Sequence, residues 1–467
     1  MNVTETPDRL TALDGTFIEL EDADPSAHMH IGGILVFAPR PGTGPPTVNE
    51  VRAQLEARLD ALPRYRQRLA DTSAGTLTWQ RWIEDERFDI AHHVTAATLA
   101  APGGWEQMLG WAGEYFSRRL DRRFPLWEVV VVGSLGDDHW ALVTKTHHCM
   151  VDGIGSVDAA HLLLDGIADA LEVAPGLDSP GNGGHLLPSW LSLGALAGVI
   201  GAGVRAATHP LDPVRRAAAL VELLVREEVR GAPTSSINEP IGPDRILRAV
   251  GVSLDEVRLV KQALGGTVND VVLATVCSGL RDLLISRGED LPEQGLRAMV
   301  PMDVRHEGEH VRGSGNHISS LFVDLPVAED NPLARYEHIR ESTAAVKSSS
   351  QPLGTEAMLQ IAGIAPPVLH HLIARTLFAK RLFNLTVTNV PGPQATLTAF
   401  GAPMKSVWPL VPLAADHALG IAIVSYDGQM TFGINADAAS VGDVDVLAGG
   451  MTIALRELQR LAHAVLS

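Results

Sequence analysis

Cysteine is almost missing from this chain: Cys149 and Cys277 are its only two. That scarcity rules out a disulfide framework and any Cys-x-x-Cys metal or redox pair, and it suits a reducing compartment. Positive charge is also short, with 37 Lys and Arg against 55 Asp and Glu, a formal net charge of −18. A field of that sign repels polyanions and no basic stripe offsets it, so nucleic acid is excluded as a partner. A small anionic cofactor stays open, because a few local cations or one helix N-terminus suffice to hold a phosphate. Long apolar runs are scarce as well. The uncharged stretch Leu186 to Val204 is the one membrane candidate, but Pro188 and its small residues weaken it. It is at the short limit for spanning about 30 Å of hydrocarbon. It reads as a linker helix packed on its own domain, with contact at a lipid surface as the alternative. Residues Met1 to Asp8 show no basic flank and no apolar stretch, so the expected location is cytoplasmic.

What is present is ample material for a core. Hydrophobic residues make up 46% and charged residues 20% of 467, an ordinary globular balance. Single cores tend to stop growing near about 250 to 300 residues, so two large domains are expected. The run His30 to Phe37 is β-rich, and Val48, Val51, Leu55, Leu59 and Leu62 follow at helical spacing. Thr47 with Glu50 forms a capping box for that helix and Pro63 stops it. Trp127 to Val132 and Trp140 to Thr144 read as strands joined by the turn-rich Gly133 to Asp138. Prolines and glycines from Pro175 to Pro188 mark an interdomain connection, followed by helix-like stretches at about 189–207 and 213–230. We therefore expect domains at 1–178 and 246–467 with a helical connection over 179–245. The second domain opens with a capping box at Ser253 and Glu256, a helix ending near Gly265-Gly266, and a long apolar helix from about Asn269. Leu419 to Tyr426 and Met430 to Asn435 flank Asp427-Gly428, a strong hairpin signal. Both halves read as α+β.

Chemistry concentrates in His147-His148-Cys149-Met150-Val151-Asp152-Gly153. A strand runs into it and the helix-like Ile154 to Ala168 follows, so its side chains sit on a strand-to-helix loop, where such domains present reactive groups. An imidazole there can take a proton from an alcohol as it attacks and return it to a leaving group. Asp152 is placed to fix the loop, and Gly153 leaves room for a close approach to the backbone. The pair His92-His93 lacks the trailing Asp-Gly and reads as structural.

On these residues the chain resembles the bacterial wax ester synthase/diacylglycerol acyltransferase family. Its superfamily also holds chloramphenicol acetyltransferase, plant hydroxycinnamoyl-type acyltransferases and peptide-synthetase condensation domains. The resemblance runs almost full length. Leu10 to Asp14 and Met29 to Gly33 look like the family opening. Pro125-Leu126-Trp127, His147 to Gly153, Thr234 to Asn238, Val268 to Val272, Pro301 to Arg305 and Asn389 to Pro393 follow in the family's order. Ile237 stands where Leu is usual.

The resemblance implies two chloramphenicol-acetyltransferase-like domains, each a mixed sheet with helices, and a substrate tunnel at their interface. It implies an acyl-CoA-dependent O-acyltransferase acting on diacylglycerol, a long-chain alcohol, or both. Long-chain acyl-CoA would be a co-substrate, with no permanently bound cofactor and no metal. His148 would be the base, with His147 beside it, and Asp152 would pair with Arg305. Asn269 matches a residue the family needs and is the candidate oxyanion donor. Gly153, Asp270, Asn389, Pro391 and Gly392 would line the substrate, while Pro125, Leu126 and Trp127 would support the site. Contact with an inner membrane or lipid-droplet surface would be peripheral.

Each assignment has a plainer reading. Thr267 and Asp270 have capping-box spacing, which makes Asp270 a cap first. Trp127 suits the core, and Asn389 to Pro393 suits a tight turn. Arg64, Arg66 and Arg68 alternate like a solvated strand edge. His306-Glu307-Gly308-Glu309-His310 spells a zinc-protease pattern, but Gly308 breaks the regular helix that this chemistry needs. Cys149 as an acyl-accepting nucleophile competes with Cys149 as a buried filler. The non-enzymatic alternative is an acyl-CoA or lipid-droplet binding protein of the same fold. The intact His148, Asp152 and Gly153 argue against it, since a binder needs no base.

Overall fold

The computed structural model of the chain describes residues 9–40, 42, 44–71, 79–133, 135–150, 162–166, 231–303, 318–348 and 382–466. Asp152, Gly153, Arg305, the His306 to His310 pattern, most of the Ile154 to Ala168 helix, the Leu186 to Val204 run and both helix-like stretches of the connection lie outside these residues.

The first half runs α1 (Ala12–Ala23), β1 (His30–Phe37), α2 (Val48–Leu59), β2 (Gln67–Leu69), β3 (Trp82–Glu84), α3 (Ile90–His93), β4 (Val94–Thr98), α4 (Trp105–Phe116), β5 (Trp127–Gly133) and β6 (Trp140–His147). The second half runs β7 (Arg245–Ser253), α5 (Leu254–Leu264), α6 (Val268–Ser286), β8 (Leu296–Asp303), β9 (Ile318–Leu325), α7 (Pro332–Ser348), β10 (Leu385–Pro391), β11 (Thr398–Ala399), β12 (Ala402–Leu410), β13 (Leu419–Tyr426), β14 (Gln429–Asp437) and α8 (Val444–Leu466).

Local signals explain many of these boundaries. Thr47 and Glu50 close a reciprocal capping box on α2, and Thr267 and Asp270 do the same on α6. Ser253 does not cap α5 with its side chain. It is still paired with Gln429 as the last residue of β7, and the next amide, Leu254 N–H, donates to Gly428 O at 2.9 Å. The hairpin tip thus satisfies one free amide at the start of α5, though not those that the Ser253 and Glu256 box would use. The arginines at 64, 66 and 68 do not share a strand face either. Pro63–Arg66 is a 3-10 turn, and Arg64 and Arg66 lie over the rings of Trp82 and Phe88.

Two six-stranded mixed sheets result, ordered β11-β12-β1-β6-β5-β4 and β7-β14-β13-β10-β8-β9. This is the two-sheet α+β architecture of the chloramphenicol-acetyltransferase class. The first sheet is antiparallel except between β4 and β5. In the second, β10 runs parallel to both β8 and β13. α6, nearly all buried, packs with α8 against the second sheet, and no Cβ fits at Gly279, which faces Leu447 and Met451.

The two sheets meet at β12, which belongs to the second half in sequence but pairs antiparallel with β1. A carbonyl of β12 and the one just after it also reach β14: Thr431 Oγ1 donates to Val407 O at 2.5 Å and Asn435 Nδ2 to Val411 O at 2.9 Å. A Cβ at position 433 would fall 1.8 Å from Pro409 O, so only glycine fits the crossing. A second seam joins α4 to β7. Ser117 Oγ accepts the Arg245 N–H at 2.8 Å, and Gly113 lets the helix approach Arg245 O.

The Thr234 to Asn238 motif has a structural use. Asn384, fully buried, donates to Pro233 O (2.8 Å) and Asn238 Oδ1 (2.6 Å) and accepts the Arg297 N–H (2.7 Å). Asn238 in turn donates to the carbonyls of Asn384 and Asp416. This closed amide network ties β8 and the start of β10 to two loops. We expect Asn384→Ala to lower unfolding free energy by about 3 kcal/mol or more, since each buried group left unsatisfied costs about 1–3 kcal/mol. An unchanged denaturant midpoint would show that the network adds no stability.

Candidate active site

β6 delivers the histidine motif. Its residues Ala141 to Val143 are buried on both faces, and it ends at His147, directly opposite His30 of β1. Residues His148–Met150 then form a 3-10 turn. The turn is tied down by its first two amides: His148 N–H donates to Met29 O at 2.8 Å, and Cys149 N–H donates to His147 Nδ1 at 3.1 Å. Pro125-Leu126-Trp127 buttresses it from behind. Leu126 O accepts the His147 N–H at 2.9 Å, and the buried Trp127 donates to Tyr65 O. His93 stacks on Trp127 at 4.5 Å with Nδ1 2.8 Å from Trp127 O, which gives that earlier histidine a structural role.

His148 is partly exposed and stacks on Phe17 of α1 at a ring separation of 3.8 Å. Phe17 also packs against the larger hydrophobic core, which belongs mainly to the second half. Burial pushes the His148 pKa down to about 4, outweighing its own carbonyl, and the neighbouring His147 adds to the depression. The ring is therefore neutral at ordinary pH. Its Nδ1 has no well-aligned hydrogen-bond partner among the described residues. Cys149 is buried, and burial raises its thiol pKa well above the usual value. It is a protonated filler in this environment.

Sequence reasoning missed the group beneath the motif. Glu21 of α1 is 1% exposed and gathers Arg122 (2.5 Å), Arg119 (3.0 Å), His147 Nε2 (3.4 Å) and His30 Nε2 (3.5 Å). Burial opposes its ionisation, but the His147 contact and the two guanidiniums outweigh that and hold the carboxyl well below its usual range. His147 is 1% exposed, and burial with the nearby arginines lowers its pKa against the pull of Glu21. His30 is lowered further, chiefly by burial. The hint in the sequence was an acid on the apolar face of an amphipathic helix, four residues after Phe17. Lys145, two residues before His147 on the same face of β6, holds Tyr115 O and Arg118 O at 3.1 Å. It thereby anchors the segment that carries Arg119 and Arg122.

The remaining candidates sit on the other sheet's elements. Asp270 uses one carboxylate oxygen to cap Thr267 and the other to accept from Thr343 Oγ1 at 2.6 Å, which is the geometry of a cap. Asn269 is partly buried at the start of α6, with no side-chain hydrogen bond among the described residues. Asn389 to Pro391 are strand rather than turn, paired in parallel with Ile423 to Ser425. Gly392 N–H donates to Ser425 O at 2.9 Å, and a Cβ there would stand 2.4 Å from that carbonyl. No hydrogen bond or ion pair among the described residues joins Asn269, Asp270 or Asn389 to the histidine turn. No group of three or more metal-ligating side chains occurs among them.

Known proteins resemble this one throughout. Residues 10–272 match the wax ester synthase/diacylglycerol acyltransferase catalytic domain, and residues 314–459 match the C-terminal domain of the same enzymes. A Mycobacterium tuberculosis protein named probable diacylglycerol O-acyltransferase is 31% identical over 463 residues, covering 96% of this chain and 95% of its own. A Mycobacterium bovis protein named putative diacylglycerol O-acyltransferase matches to the same extent. Among solved structures, the wax ester synthase/diacylglycerol acyltransferase from Marinobacter aquaeolei superposes with a TM-score of 0.69 at 25% identity, over 97% of this chain and 100% of that one. The starter condensation domain of rhizomide synthetase, solved with C8-CoA and Leu-SNAC, shares the fold at a TM-score of 0.56 and 14% identity, over 97% of this chain and 94% of its own. The chain belongs to the wax ester synthase/diacylglycerol acyltransferase family and is an acyltransferase.

Proposed function

We propose that this acyltransferase moves a fatty acyl group from acyl-CoA to the hydroxyl of diacylglycerol, a long-chain alcohol, or both, with His148 as general base. The observation that carries this reading is the state of His148: a neutral imidazole, fixed at a strand end and stacked on Phe17. A thioester is already activated, so the demanding event is removal of the hydroxyl proton as the alcohol oxygen attacks the carbonyl carbon. The C–O bond forms, the tetrahedral intermediate expels the CoA thiolate, and the proton held by His148 passes to that sulfur. No acyl-enzyme is needed, which agrees with the protonated state of Cys149. Asn269 is our candidate oxyanion donor, being at a helix start with its side chain uncommitted among the described residues. The binding-protein alternative gains no support from a turn anchored this firmly around an uncharged base.

His148→Ala should lose most turnover, by about 100- to 10,000-fold, while still binding acyl-CoA; Cys149→Ala should keep near-normal turnover. Thiol release from acyl-CoA with a lipid alcohol measures both. Full activity of His148→Ala, or an acyl group trapped on Cys149, overturns the mechanism.

The pH dependence has a definite sign. The His148 pKa is lowered, so the basic form is present above about 4 and is lost only as pH falls through that value. The acid limb of kcat/KM should lie near there. A limb at the ordinary histidine value of about 6.5 would show that the reacting base is a solvated imidazole.

We also propose that the protein meets its lipid acceptor peripherally. No single helix among the described residues is long and apolar enough to cross a membrane. Carbonate washing should release the protein from membranes, and retention in the pellet would count against a peripheral contact.

A further inference from the structure

We propose that Glu21 is a positioning residue for the acyl-transfer site: its carboxylate sets the tautomer of His147 and, through the Cys149 amide, the geometry of the turn that carries His148. This rests on the reading of His148 as the base.

The argument begins with tautomers. His147 Nδ1 accepts the Cys149 N–H, so in the neutral ring the hydrogen is on Nε2, which faces Glu21 Oε2 at 3.4 Å. That separation is long for a hydrogen bond but well within reach of a carboxylate charge acting on an N–H dipole. The opposite tautomer would turn Nδ1–H against Cys149 N–H, two donors 3.1 Å apart, and push the turn away from β6. An anion at Nε2 therefore favours the arrangement that holds the residue after His148. His30 cannot substitute for His147 in this chain. Its Nε2 accepts the Leu120 N–H at 3.2 Å, so the neutral ring has no hydrogen to offer Glu21.

A plainer role for Glu21, as counter-ion to Arg119 and Arg122, does not explain its depth. Arg122 already has the exposed Asp22 at 2.6 Å, and a surface acid would serve Arg119 as well. Taking a carboxylate out of water is costly, and what this one reaches by being buried is His147. The arginines keep it ionised in that position: Arg122 donates Nε at 3.1 Å and its terminal nitrogen at 2.5 Å. Both guanidiniums also reach carbonyls of α1, Arg119 to Glu21 O and Arg122 to Ile18 O at 3.4 Å. The same helix presents Phe17 to the His148 ring, so α1 sets the base from two sides.

The test is a double-mutant cycle on the full-length protein. Glu21→Gln removes the charge. His147→Asn keeps an oxygen where Nδ1 stood, leaves Glu21 with both arginines, and cannot reach the carboxylate. Each should lower kcat on the order of 100-fold, the scale of a small misplacement of a reacting group, with KM for acyl-CoA little changed. The double variant should lose no more than the worse single, because both act through one chain of contacts. Glu21→Asp should recover part of the loss. Isotope-labelled histidine should report the Nε2–H form of His147 in the native protein and a shift away from it in Glu21→Gln. Should Glu21→Gln fail to fold with its arginines stranded, His147→Asn still decides: a folded His147→Asn with full kcat overturns the inference. So do losses that multiply in the double variant, or a folded Glu21→Gln with full kcat. A fully active His148→Ala would instead remove the base assignment on which this inference rests, so the two failures are distinguishable.

Discussion

A carboxylate taken out of water must be met by charge or by donors, and Glu21 imposes that demand on four separate parts of the chain. It draws on the start of β1 through His30, the end of β6 through His147, and the loop after α4 through Arg119 and Arg122, while α1 supplies the acid itself. β1 and β6 already meet as paired strands, but Glu21 ties α1 and the loop after α4 to their ends, over a separation of 126 positions from Glu21 to His147. Burial is the chief cause that keeps both histidines neutral, and at His147 the two arginines add to it against the pull of Glu21. The histidine turn thus stands next to a buried cluster of charge. Replacing such a cluster with apolar side chains could stabilise the fold, as buried ion pairs often permit, but it would leave the His147 Nε2–H with nothing to face.

The second constraint is the crossing of β12. A strand that pairs through its backbone with β1 and is gripped by β14 through one of its carbonyls and the one just after it makes the two sheets one framework. This has a bearing on chemistry, because His148 stands on the first sheet while Asn269 begins a helix of the second half. Any reaction using both needs their elements held in register, and β12 with the Ser117 and Arg245 seam does that without side chains from the site. Glycine at 433 and at 113 marks where backbones approach too closely for any Cβ.

Local pattern made much of this legible and long-range pairing made the rest opaque. β1 and β13 match their expected limits to the residue, because apolar runs bounded by turn residues leave little choice. The capping boxes at Thr47 and Thr267 are visible for the same reason: both partners lie within one turn. The box expected at Ser253 is not made, and Ser253 instead remains a strand residue paired with the remote Gln429. Nothing in Ala402 to Leu410 announces that its partner is β1, nearly four hundred residues earlier. The histidine motif was readable because its residues are contiguous. Glu21, Phe17 and Arg122 were not, since their relevance exists only once α1 is folded over the turn.

One physical cause, desolvation, sorts the two reactive groups that the motif places side by side. Removing a group from water disfavours its charged form, which for a thiol means the thiolate and for an imidazole means the imidazolium. The Cys149 pKa accordingly rises and the His148 pKa falls. A nucleophilic cysteine needs the opposite surroundings, an electropositive and partly solvated pocket that favours thiolate. Arg122 does pull the Cys149 pKa downward, but burial and the acids Asp14 and Glu21 outweigh it. The site therefore has no means to ionise Cys149 while His148 is kept uncharged. A base with so low a pKa is a weak one, and a weak base suffices when it accepts a proton that the attacking oxygen is already shedding as its bond to the thioester carbon forms. In the mechanism we propose, the proton then leaves with the thiolate, whose ordinary pKa of about 8.5 far exceeds that of the imidazolium, so its return is downhill: an environment that makes His148 a modest base makes its conjugate acid a strong one for the second half of such a reaction.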